Sequence, residues 1–172
     1  MQVNGVSYTT IWLADDGWTV EIIDQTKLPH EFIVAQLKSV HDVALAIKDM
    51  WIRGAPLIGA TAAYGVALAM REDPSDVNLN KTYDYFFATR PTAVNLRWAL
   101  DDMKNLLIKI PTAQREVAAY SRAADICNQD VNICSNIGEY GAKLIEQVSK
   151  IKKGAAVNIL THCNAGWLAT VD

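Results

Sequence analysis

Residues 51–70, WIRGAPLIGATAAYGVALAM, run from a basic side chain and a glycine directly into a helix of small residues. Pro56 has no backbone N–H and a φ already suited to the first helical position, so the helix is expected to begin there, with Gly54 and Ala55 leading in. The first amides of a helix have no acceptor within it, which leaves those of Ala55, Leu57 and Ile58 free. These amides, the positive end of the helix dipole and the Arg53 guanidinium would converge on one spot, and Gly54 has no Cβ to keep a ligand from the backbone. The pattern predicts an anion site. Behind it, Gly59, Ala60, Ala62, Ala63, Gly65, Ala67 and Ala69 allow neighbouring elements to pack close, as in a buried central helix.

The 172 residues, 51% hydrophobic, suffice for one ordinary domain, or one small domain and part of another. A net charge of −3 from 16 basic and 19 acidic residues provides no basic field for nucleic acid. Cys127, Cys134 and Cys163 lack CxxC spacing and no secretory apolar segment follows Met1, which reads as a reduced, cytoplasmic setting. No run approaches the roughly 18 uninterrupted apolar residues of a membrane span. No His, Cys or Asp cluster has metal-ligand spacing, so neither metal nor cofactor is expected.

Residues 6–29 place β-branched and aromatic residues on both sides of Asp16-Gly17, the pattern of a β-hairpin. Residues 31–37 fit a short strand or a helical turn equally. Ser39 and Asp42 have capping-box spacing for a helix over 40–51, with Val43, Ala44, Ile47 and Met50 as its apolar face. Residues 71–90 read as a connecting segment. Arg90-Pro91-Thr92 then repeats the earlier grammar of arginine, proline and helix, here to about residue 108, with Leu96, Ala99, Leu100, Met103 and Leu107 on one side. A further helical region extends from Pro111 to about Lys150, with an interruption expected over 128–135. Cys127 and Cys134 read as small core hydrophobes, and His30 and His41 have no evident partners.

At Lys153-Gly154 the composition changes, and residues 156–162 read as a strand followed by a loop. A single strand after a hairpin and several helices has no sheet to join. The reading is therefore a hairpin and mainly helical domain over 1–152, followed by the first strand of a further α/β domain over 153–172, with the next helix opening at Trp167. Cys163 would stand at the end of that strand, where open α/β sheets bind ligands, and is a candidate acid or base. His162 adjoins it on the opposite face, which argues against a dyad of the two.

DQTKLP (24–29), IRGAPLIG (52–59), Arg90-Pro91-Thr92 with Asn95-Leu96, and LTHCNAG (160–166) occur in one order. Together they resemble the 5-methylthioribose-1-phosphate isomerase family of methionine salvage, over essentially the whole chain. The resemblance implies an α/β fold with an N-terminal hairpin and helical part, a Rossmann-like C-terminal domain, a site between the two and a homodimer. It implies that Arg53, Gly54, Ala55 and Arg90 contact the phosphosugar and that Cys163 is the catalytic thiol. The family's second catalytic residue, an aspartate, would lie past Asp172, so the chain alone is expected to be inactive. Trp167 stands where the family more often has a small residue. Alternatives left open are a related sugar-phosphate isomerase, such as one acting on ribose 1,5-bisphosphate, and a non-catalytic regulatory protein like those of initiation factor 2B.

Overall fold

The computed structural model describes residues 1–162 and 165–172. The chain forms two small antiparallel sheets and five helices, the other four helices packing around the one that contains the small-residue stretch. The first sheet pairs β1 (Gln2–Val3) with β2 (Val6–Ser7). Its turn is Asn4-Gly5, with both residues at positive φ, as a two-residue hairpin turn requires. In the second sheet, β3 (Ile11–Leu13) pairs with β4 (Val20–Ile23), and β5 (Val34–Leu37) closes the other side of β4. The expected turn is present: the Asp16 carboxylate accepts from the amides of Trp18 and Thr19 and from the Thr19 hydroxyl. Residues 34–37, ambiguous by pattern, are a strand.

Helix α1 (Val40–Lys48) carries the expected capping box, with the Ser39 hydroxyl accepting from the Asp42 amide and the Asp42 carboxylate from that of Ser39. It ends before residue 51, because the chain turns at Met50, whose φ is +59°, and Met50 is exposed rather than part of the apolar face. Helix α2 (Ala55–Glu72) begins one residue before Pro56 and is buried on every side from Leu57 to Met70.

Residues 71–90 are not a connector. They contain α3 (Asp76–Thr89), whose N-cap Ser75 accepts from the Asn78 amide and whose Leu79, Thr82 and Phe86 are buried. Burial of that 3–4 spaced face overrides the weak helical preference of its asparagines and aspartates. Helix α4 (Val94–Leu107) buries the five residues expected of it. Helix α5 (Arg115–Lys152) runs 38 residues without the interruption expected over 128–135. Asn128, Gln129 and Asn132 are exposed, so water satisfies their amides and they do not compete with the helix backbone. Ala119, Ala123, Ile126 and Cys127 of α5 pack into the core, whereas its second half projects, with Ile137, Tyr140, Leu144 and Ile151 exposed.

Residues 156–162 form no strand. Among the described residues no strand lies alongside to accept their backbone bonds, and Leu160 is 99% exposed. Trp167–Ala169 is a single 3-10 turn rather than the opening of a longer helix.

Between helices, the closest approach at a glycine of α2 is at Gly65, where a Cβ would lie 2.6 Å from Phe86 Cζ and 2.7 Å from Val43 Cγ1. Gly65→Ala gains about 1 kcal/mol of helix propensity, but the overpacking costs roughly 1–3 kcal/mol. A net loss of stability is expected in urea denaturation. A midpoint at or above that of the parent would mean Phe86 moves aside freely.

Candidate functional site

Gly54 is the N-cap of α2 at φ +91°. Its carbonyl accepts from the Ile58 amide at 3.0 Å, so Ile58 is not among the free donors. That is a correction, and it follows from the helix starting at Ala55: one more residue in the first turn brings Ile58 into the ladder. The amides of Ala55 and Leu57 have no backbone acceptor among the described residues. Arg53 is exposed and lines a cavity of about 440 Å³, together with Met1, Gln25 and residues 165–169. Ala165 and Gly166 of that lining directly follow the two residues not described. The reading of Cys163 as the catalytic thiol lies outside the described residues.

Gly54 also serves a contact that its sequence context did not reveal. A Cβ there would overlap the Cα and carbonyl oxygen of Ala169, so the missing side chain admits the chain's own 3-10 turn. That turn is held from several directions. The Gln25 side-chain amide donates to the Leu168 carbonyl at 2.7 Å. The Thr10 hydroxyl donates to the Thr170 carbonyl, and the Thr10 amide to that of Val171 at 2.9 Å. The Val171 amide donates to the Asp130 carboxylate at 2.7 Å. The Met1 ammonium pairs with Asp172 at 3.1 Å. Within the turn, the Trp167 indole N–H is enclosed and has no partner among the described residues.

Arg90 is half-buried, at the C-cap of α3. Its carbonyl accepts from the Ala93 amide at 3.0 Å, which turns the chain into α4. The start of α4 lies on the early part of α2, where a Cβ on Gly59 would sit 3.2 Å from the Asn95 carbonyl oxygen. Arg53, Gly54 and Ala55 therefore share one helix end, and Arg90 is attached to the helix packed beside it. It does not line the cavity containing Arg53.

Of the other cysteines, Cys127 is buried; burial pushes its thiol up to about 12, against the smaller opposing effect of the Tyr64 hydroxyl. It is inert core, as expected. Cys134 is only half-buried, and its thiol is likewise raised chiefly by burial. Thr10, Gln25 and Asp130 were not singled out from the sequence. Gln25 alone stood in a quoted motif, DQTKLP; nothing local marks the other two.

Sequence and fold place the chain among known proteins. A model of the Initiation factor 2 subunit family matches residues 51–171. The chain belongs to that family. Methylthioribose-1-phosphate isomerase of Paramagnetospirillum magneticum is 59% identical over all of this chain and 47% of its own length. Among solved structures, 5-methylthioribose 1-phosphate isomerase from Pyrococcus horikoshii OT3 superposes with a TM-score of 0.81 at 37% identity, over 96% of this chain and 46% of that one. Translation initiation factor eIF-2B subunit delta from A. fulgidus superposes at 0.78 with 34% identity, over 96% of this chain and 48% of that one. The chain thus spans about half the length of the curated isomerases it matches. Among the described residues, no helix is long and apolar enough to cross a membrane.

Two outcomes test this geometry. Gly54→Ala should lose about 1–3 kcal/mol of stability from strain at positive φ and displacement of Ala169, read as a fall in unfolding midpoint. Burial raises the Asp130 carboxyl above its ordinary value, outweighing the Val171 amide. The folded chain then holds that proton more tightly than the unfolded one, so this group's contribution to stability declines as pH rises through the raised value. Asp130→Asn keeps an acceptor for Val171 and should remove that decline, seen by comparing midpoints from about pH 4 to about pH 7. Parallel profiles for the two proteins would contradict the assignment.

Proposed function

We propose that the N-terminal end of α2 binds the phosphate of a phosphosugar, and that the whole protein interconverts 5-methylthioribose 1-phosphate and 5-methylthioribulose 1-phosphate. The observation that carries this is the exposed Arg53 side chain lining a cavity two residues before the start of α2, at a helix end whose Ala55 and Leu57 amides have no backbone acceptor among the described residues. Family membership and the names of the isomerase relatives support it.

The substrate explains the emphasis on anion binding. Its anomeric carbon is locked as a phosphate ester, so the ring must open with the phosphate still attached. A guanidinium and backbone amides fix a phosphate in both charge and direction. Arg90, at the neighbouring helix start, is assigned a second contact to the phosphosugar. Hydrogen then moves between C2 and C1, with the Cys163 thiol and an aspartate from the remaining length of the family fold as acid and base, or flanking a hydride shift. Substrate and product are isomers, so no external electron acceptor is called for. A homodimer in the cytoplasm completes the reading.

The A. fulgidus neighbour favours a second reading, a non-catalytic subunit, since it superposes almost as well. Ligand binding separates the two. Under the isomerase reading, calorimetry should detect 5-methylthioribose 1-phosphate binding to this chain. Arg53→Ala should weaken it ten-fold or more, as loss of a charge-assisted contact of about 1.5–3 kcal/mol implies. Binding that is absent, or unchanged in Arg53→Ala with the helical signature intact, would overturn the proposal.

A further inference from the structure

Gln25 is joined at once to both walls of the cavity. It is 5% exposed, and its backbone amide donates to the Trp51 carbonyl at 2.8 Å, two residues before Arg53. Its side-chain amide donates to the Leu168 carbonyl at 2.7 Å, one residue before the alanine that lies on Gly54. A single buried residue thus ties the segment presenting Arg53, through its backbone amide, to the turn that closes the opposite side, through its side chain. The same turn is held by Thr10 and Asp130, but these grip it at Thr170 and Val171, away from the cavity lining.

Resting on the reading of the α2 N-terminus as a phosphosugar site, we infer that Gln25 is a positioning residue. It sets the distance between Arg53 and residues 165–169, and through it the fit of the ligand between them. The chemistry of the contact makes the role specific. The Leu168 carbonyl can only accept, so whatever stands at position 25 must donate. A carboxylate in the same place has no proton to give and would oppose the carbonyl dipole in a buried setting. A protonated carboxyl could donate again.

The test uses this chain with Gln25→Glu and with Gln25→Met, which keeps the length and removes the donor. Hydrogen exchange is followed at the Ala169 and Thr170 amides, bonded within the turn to Gly166 and Trp167. The buried amides of α2 report overall folding, and each variant is compared with the parent at the same pH. At neutral pH, both variants should exchange ten-fold or more faster at the turn with α2 protection unchanged. On acidification Gln25→Glu should regain protection while Gln25→Met does not. Affinity for 5-methylthioribose 1-phosphate should follow the same pattern. Arg53→Ala should lose affinity with turn protection intact, which separates failure of the phosphosugar reading from failure of this one. Parent-like exchange at the turn in Gln25→Glu at neutral pH would overturn the inference. So would loss of protection spread equally over α2, or turn protection that changes while a measurable affinity does not.

Discussion

Close approach to the backbone of α2 is the constraint on which the arrangement depends. Gly54, Gly59 and Gly65 each lack the Cβ that would meet, in turn, Ala169, the Asn95 carbonyl and the Phe86 ring with Val43. Four elements are thus allowed against one helix at separations that ordinary side chains would forbid: the C-terminal turn at its start, α4 just beyond, and α3 with α1 near its middle. The helix end whose Ala55 and Leu57 amides have no backbone acceptor among the described residues is thereby fixed within a shell of other elements.

Charged groups reinforce this packing where the helices join. Arg115, 4% exposed, donates to the carbonyls of Ile110 and Pro74 and pairs with Asp76 at 2.7 Å. One guanidinium therefore fastens the loop after α4 and the start of α3 to the start of α5. Its planar fork can satisfy three acceptors in different directions, as a lysine ammonium could not do in the same geometry. Arg122 meets the Asp102 carboxylate with two hydrogen bonds, at 2.6 and 3.1 Å, linking α5 to α4. The Arg53 guanidinium, by contrast, is left exposed to the cavity.

How much of this could be read beforehand follows the range of the interactions. The helix start at Gly54-Ala55-Pro56, the Ser39–Asp42 cap and the turn at Asp16-Gly17 arise from neighbours in sequence, and each was visible there. Helix α3 was missed because its asparagines and aspartates resemble a loop until Leu79 and Phe86 find the core. The break expected in α5 rested on polar residues that prove to face water. The strand expected over 156–162 required a partner that no local pattern could supply or deny. Least visible was the far wall of the cavity. Gln25 and Leu168 are 143 residues apart, and the Thr10 hydroxyl and Thr170 carbonyl 160. Nothing at either end of such a bond announces the other.

The composition of α2 has a consequence for the entropy of folding. Fixing a long side chain in a core sacrifices rotamer freedom worth up to about 2 kcal/mol, whereas glycine and alanine have almost none to lose. Of the residues buried in α2, Gly59, Ala60, Ala62, Ala63, Gly65, Ala67 and Ala69 are ordered at nearly no side-chain cost. The apolar surface they enclose is small as well, so much of the enthalpy that holds this helix comes from backbone atoms in dispersion contact with its neighbours. Such contacts have few alternative rotamers through which to relax. Rigidity at the amide-bearing end of α2 is thus obtained from residues with little internal freedom.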